Sequence, residues 1–393
     1  MQSELLSPVK PTPDDPPEVE PRIALCLSGG GYRAMLFHLG AIWRLNEAGY
    51  LKRLSRISSV SGGSIVAAAL GRCWGQLEFD QAGVATNLDE KLVRPVRNLA
   101  GITIDVPAVL VGLAVPGTTI SKRVAAAYKK HLLGSATLQD LPSDEKGPRF
   151  VINATNLQSG VLWRFSRPYA RDYKVGEIAS PEIPLALAVA ASSAFPPILS
   201  PARLHFREDD YVEGSGESLQ RPPFTTRPVL ADGGVYDNLG LQTAWNGAKT
   251  ILISDGGGAM QADGGALGPF GWWRWRDWGS QSYRVLSVID NQVRSLRKRQ
   301  AISAFQLEHS SPQHREGTYW GIRSHIADYK LEGSIDFPRK LGEDLAQVPT
   351  RLKSLDSRTQ EELIDWGFAI CDTAMRRWVK LALPAPASLP YPL

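Results

Sequence analysis

Two short apolar runs in this chain each end in a tight, glycine-rich turn that leads straight into a helical pattern. No other feature restricts the fold as much. The first run is Arg22-Ile23-Ala24-Leu25-Cys26-Leu27, followed by Ser28-Gly29-Gly30-Gly31. Met35, Leu36, Leu39, Ile42, Trp43 and Leu45 then recur at helical spacing, and Gly49 supplies a stop. The second run, Arg56 to Val60, passes through Ser61-Gly62-Gly63 into the Ala-rich stretch Ile65 to Leu70. Strand, glycine loop, helix, strand, tight turn, helix is the alternation of a parallel sheet covered by helices on both faces.

Downstream, Leu77 to Asp140 reads as mostly helical, with an apolar centre around Val106 to Val115. Phe150 to Thr155 reads as a strand with Val161 to Phe165 as its partner, and Leu185 to Ala191 as a helix. Val229 to Asp232 and Thr250 to Ser254 are short strands that each lead into Asp-Gly. Tyr283 to Phe305 carries Val285, Val288, Ile289, Gln292, Val293 and Leu296 at helical spacing, with Arg294, Arg297, Lys298 and Arg299 on the other face. Glu361 to Leu381 reads as a last amphipathic helix. No repeat and no Pro/Ser linker divides the chain, so residues 22–383 are expected to form one domain. The Pro- and acid-rich residues 1–21 and the Pro-rich 384–393 read as flexible ends.

The 393 residues are 43% hydrophobic and 21% charged, an ordinary globular composition. Three Cys without a CxxC pair give neither a disulfide framework nor a metal motif. With no apolar leader segment, a cytoplasmic protein is expected, peripheral to a membrane at most. No run approaches the roughly 20 apolar residues of a spanning helix. A net charge of +4 supports no nucleic-acid role.

Four places carry candidate chemistry. Ser59-Val60-Ser61-Gly62-Gly63 has the form of a nucleophile elbow, in which a strand-to-helix turn exposes the Ser61 hydroxyl beside free helix N–H groups. A plain strand-to-helix turn would look the same, and Ser64 is a rival inside the helix. Gly29-Gly30-Gly31-Tyr32-Arg33 offers successive backbone N–H groups for an oxyanion or a phosphate, with Arg33 as a brace or an anion contact. It lacks the pattern of a Walker loop or a dinucleotide fingerprint. Asp232-Gly233-Gly234 puts a carboxylate at a strand's C-terminal end, where it could take a serine proton. Asp255-Gly256-Gly257-Gly258 is a near copy.

Taken in order, Gly29 to Arg33, Ser61 to Gly63, Ala191-Ser192-Ser193-Ala194-Phe195-Pro196-Pro197 and Asp232-Gly233-Gly234-Val235-Tyr236-Asp237-Asn238 resemble the four blocks of the patatin-like phospholipases. The resemblance covers Ile23 to Asp255. It implies a three-layer α/β/α sandwich with a mostly parallel central sheet, and hydrolysis of lipid acyl esters by a Ser–Asp dyad without metal or cofactor. It implies Ser61 as nucleophile, Asp232 as its partner, and Gly29, Gly30, Gly31 and Arg33 as the oxyanion loop. Ser28 where the family often has Asp, and Ser59 where it has Gly, are departures that remove no catalytic group.

His309, His314 and His325 follow Asp232, so chain order permits a Ser–His–Asp esterase of soluble esters. None follows a clear strand, however, and no His/Glu spacing suggests a metal site. The motifs are also compatible with a lipid- or nucleotide-binding module without turnover, and with a signal-regulated membrane-degrading effector. Trp272-Trp273-Arg274-Trp275-Arg276-Asp277-Trp278 has the composition of a membrane-contact segment, and Gly271 to Gln300 holds seven basic residues against two Asp. An ordinary packed segment could have the same composition. The expected partners are a phospholipid or other lipid ester and, transiently, a membrane surface.

Overall fold

The computed structural model describes residues 20–105, 108, 119–196, 199–258, 274–380 and 383–391, with backbone alone at 274–280, 282 and 283. Trp272, Trp273 and nearly all of Val106–Val115 lie outside the described residues. Arg274, Trp275 and Arg276 are described by their backbone, in a helix.

The opening alternation appears as expected: β1 (Glu20–Leu27), α1 (Gly31–Glu47), β2 (Arg56–Val60) and α2 (Gly62–Cys73). β1 starts at Glu20, inside the stretch expected to be a loose arm. Next come β3 (Arg149–Asn156), β4 (Val161–Phe165), β5 (Tyr169–Asp172), β6 (Gly176–Ala179), α3 (Leu185–Ser192), β7 (Ala202–Arg203), β8 (Val229–Asp232) and β9 (Ala248–Asp255). α4 (Arg274–Gln306), β10 (Glu316–Gly321) and α5 (Ser357–Trp378) complete the frame. The strands form one sheet in the order β10-β9-β1-β2-β3-β4-β5-β6, with β8 also on β3 and β7 on β8. Parallel pairing is confined to β10, β9, β1, β2 and β3, and every other pairing is antiparallel. The sheet is therefore mixed rather than mostly parallel. The connection from β3 to β4 is too short for a parallel crossover, so the chain turns back on itself.

One detail of register positions the site. β2 runs up one edge of β3 until Val60 faces Asn153. β8 comes down that same edge, the other being taken by β4, until Asp232 faces Ala154. The two strands meet end to end on neighbouring residues of β3. Ser61 follows the last residue of β2, and Asp232 is the last residue of β8.

The C-terminal region belongs to the same body. One hydrophobic cluster runs from Leu25 to Leu383. α5 crosses α1 backbone to backbone: a Cβ on Gly40 would lie 1.8 Å from the Ile364 oxygen, and one on Gly367 would lie 1.9 Å from the Phe37 oxygen. Asp372 of α5 holds Arg44 of α1 at 2.8 Å, both side chains buried. The Pro-rich end, expected to be loose, is tied down: Arg44 donates to the Pro384 oxygen and the Tyr391 amide donates to Asp365. Gly367→Ala would force the two helices apart, and we expect it to lower unfolding free energy by about 3 kcal/mol. Urea unfolding checks this; a change below about 0.5 kcal/mol would contradict the contact.

Candidate active site

Ser61 has φ 49° and ψ −117°, a positive φ shared with only Ser180 and Lys330 among the described non-glycine residues. That strain is what an elbow between a strand and a helix requires. It persists because small residues surround it: a Cβ on Gly62 would lie 2.2 Å from the Gly31 oxygen. The Ser61 amide donates to Ser192 Oγ at 2.9 Å, and Ser192 gives its own proton to the Asn153 oxygen at 2.7 Å. Ser64 Oγ is buried and bonds to Ser59 and Ser192 at 3.0 and 2.9 Å. Ser59, in the place of the family's glycine, also donates to the Val151 oxygen. Both rival serines are thus part of the frame that holds Ser61.

Asp232 is 2% exposed. Its carboxylate accepts from the Gly234 amide at 2.7 Å, and the Ser61 hydroxyl lies near enough to favour its charged form. Burial, with a smaller contribution from Asp290, raises its pKa to about 7 against the opposing effects of the Gly234 amide and the Ser61 hydroxyl. The third sequence block supports this strand end, since the Asp232 amide donates to the Ala194 oxygen at 2.9 Å. Asp255 is placed differently. Burial would raise its carboxyl, but Arg294 at 3.6 Å, the Tyr319 hydroxyl at 2.8 Å and the Gly257 amide outweigh that and hold it below the ordinary range.

The glycine loop divides its work. The Gly29 amide is engaged by Asn238, at 3.1 Å to the backbone oxygen and 3.0 Å to Oδ1, so it is not a free donor as the sequence led us to expect. The Gly30 and Gly31 amides donate to no acceptor among the described residues. Arg33 is buried and binds the Gly256 oxygen at 3.1 Å, the Val348 oxygen and Thr350 Oγ1 at 2.9 Å. It is a brace between loops. His38 braces the other side: its Nε2–H donates to the Ser28 oxygen, so Nδ1 accepts from Ser254 Oγ. Burial holds its pKa down at about 4, which keeps it neutral.

Ser61, Asp232 and the three glycines line a cleft of about 820 Å³. No histidine lines it among the described residues. His314 lies at the far end of the sheet, beside the start of β10. A second cavity of about 820 Å³ opens below the sheet, between Arg22, Arg56 and Trp74, and contains none of the motif residues.

Sequence reasoning missed the wall contributed by α4. Ser287, Asp290, Asn291 and Arg294 face the cleft, and Arg294 is buried. Val285, Val288, Ile289 and Leu296, the regular apolar row, are instead 42–58% exposed. The helix turns Asp290 and Arg294 inward because the space it covers is a polar cleft, where Asp255 supplies Arg294 with a partner. Asn238 and Ser192 lay within quoted motifs, but nothing in the sequence signals their hydrogen bonds.

The sequence model of the patatin-like phospholipases matches residues 25–245, more than half of the chain. A search of curated proteins finds no match. Among solved structures, human GIVD cytosolic phospholipase A2 is similar, with a TM-score of 0.55 and 14% identity over 90% of this chain and 61% of that one. The same human enzyme in complex with methyl gamma-linolenyl fluorophosphonate and terbium chloride gives a TM-score of 0.50 and 16% identity, over 90% of this chain and 57% of that one. The chain thus spans about three fifths of the human enzyme, and at this identity the likeness is one of fold, a central sheet flanked by helices. With the family match covering the elbow, the glycine loop and the Asp232 block, this chain belongs to the patatin-like phospholipase family.

Proposed function

We propose that this protein hydrolyses acyl ester bonds of phospholipids, with Ser61 as nucleophile and Asp232 as general base. The observation that carries this reading is the register that sets Ser61 and the buried Asp232 carboxylate side by side where β2 and β8 meet on β3. Asp232 takes the hydroxyl proton as Ser61 Oγ attacks the acyl carbon. The tetrahedral oxyanion is met by the Gly30 and Gly31 amides at the start of α1, and each such donor contributes a few kcal/mol in other hydrolases. Collapse returns the proton from Asp232 to the leaving alcohol and leaves an acyl ester on Ser61. Asp232 then deprotonates water, and the fatty acid departs. An ordinary aspartate is a weak base, and a pKa of about 7 brings the group close to working pH.

The exposed apolar row of α4 sits on the helix that walls the cleft. This favours substrate reached at a lipid surface, with Val285, Val288, Ile289 and Leu296 entering the interface. The Trp272, Trp273, Arg274, Trp275 and Arg276 segment lies at or just before the start of the same helix. Among the described residues, no helix is long and apolar enough to cross a membrane.

Four outcomes follow. Ser61→Ala is expected to abolish release of fatty acid and lysolipid from phospholipid vesicles, measured by mass spectrometry, with the fold unchanged by circular dichroism. The ionised form of Asp232 is the active one, so kcat/KM should rise through about pH 7 and fall about tenfold per unit below it. Asp232→Asn should remove activity yet stabilise the protein. The folded-state pKa lies above the unfolded value of 3.8, so wild-type stability falls as pH rises from about 4 to about 7. The amide escapes that loss: its melting temperature should exceed wild type at pH 8, and the difference should vanish below pH 4. Replacing Val285, Ile289 and Leu296 with Ser should weaken vesicle cosedimentation roughly tenfold while sparing hydrolysis of a short soluble ester.

A further inference from the structure

The loop joining α4 to β10 brings together three metal-binding side chains that the hydrolysis does not use. One donor atom each from His309, His314 and Glu316 lies within 4.8 Å of the other two. The imidazole centroids of His309 and His314 are 4.4 Å apart. His314 is 3% exposed, and neither of its ring nitrogens has a hydrogen-bond partner among the described residues. A buried imidazole with both nitrogens unpaired is costly and uncommon in native proteins. His309 and Glu316 are exposed.

We propose that His309, His314 and Glu316 bind one divalent transition-metal ion of the zinc type. Two imidazoles and a carboxylate suit zinc and its neighbours, whereas magnesium and calcium require oxygen ligands throughout. At zinc–ligand distances of about 2.0–2.1 Å, tetrahedral donors lie about 3.3 Å apart. Rotation of the two exposed side chains closes the gap from the present spacing, while His314 stays where packing holds it. The His314 backbone is fixed as well, since its oxygen accepts from Lys249 Nζ at 3.2 Å and from Arg315 at 3.1 Å. The Arg315 guanidinium lies over the Trp245 ring, 5.2 Å from its centroid. Glu316 Oε2 accepts from Thr250 Oγ1 at 3.3 Å, the kind of outer contact that orients a ligating carboxylate. Three protein ligands leave the fourth position to water.

The site is separate from the ester chemistry. Glu316 pairs with Thr250 near the start of β9, while Asp255 ends that strand beside the cleft. Five residues at about 3.3 Å each put the two some 16 Å apart along the sheet. The ion's effect is mechanical: it ties the loop that leaves the last turn of α4, the helix walling the cleft, to the edge of the sheet.

Isothermal titration of tag-free, chelator-treated protein with zinc chloride tests the proposal. Wild type is expected to bind one equivalent, with a melting temperature raised by roughly 2–4 °C at saturation. His309→Gln and Glu316→Gln change exposed residues, so they should fold normally and bind at least tenfold more weakly; His314→Gln should do the same. Magnesium and calcium should not compete. Absence of saturable binding by wild type would overturn the site. So would wild-type affinity in the His309→Gln, Glu316→Gln double variant, since the ion would then sit elsewhere. Equal competition by calcium would overturn the assigned ligand chemistry.

Discussion

The site rests on two strands that end against each other on one edge of β3. β2 pairs in parallel up to Asn153, and β8 pairs antiparallel down to Ala154. A serine after one strand and an aspartate at the tip of the other are therefore held by sheet hydrogen bonds rather than by flexible loops. The positive φ at Ser61, the Ser192 bond to its amide and the Ala194 bond to the Asp232 amide all refine a meeting that the register has already imposed.

That arrangement keeps a carboxylate out of water. Asp232 has a hydroxyl and an amide for company and no cation partner among the described residues, so its charged form is disfavoured. Asp255, at the tip of β9, shows the contrast: the same burial with Arg294 beside it gives a carboxylate that stays ionised and serves as structure. Two Asp-Gly strand ends thus differ in environment: one has a cation beside it and the other a serine. Arg33 and His38 keep the glycine loop in register with both ends, and the Gly30 and Gly31 amides meet no acceptor among the described residues.

Local features of this design are plain in the sequence. The elbow and the glycine loop are legible because sterics at a strand-to-helix turn admit few residue types, so Ser61 to Gly63 and Gly29 to Gly31 announce themselves. What depends on distant pairing is not legible. The pairing of β8 with β3, the end-to-end contact of β2 and β8 and the capture of the Gly29 amide by Asn238 all join residues far apart in the chain. α4 is instructive for another reason. Its period identifies two faces but not which one is inside, and burial of Arg294 against Asp255 reverses the usual orientation. The Pro-rich end read as loose by composition, yet Tyr391 and Pro384 find specific partners on α5 and α1.

The most direct test of the account is covalent trapping with a long-chain fluorophosphonate, the adduct being located by peptide mass spectrometry. The account predicts an adduct on Ser61 that forms progressively more slowly below pH 7, and far more slowly when Asp232 is replaced by Asn. An adduct on Ser64 or Ser193, or labelling of Ser61 at an unchanged rate in Asp232→Asn, would contradict it.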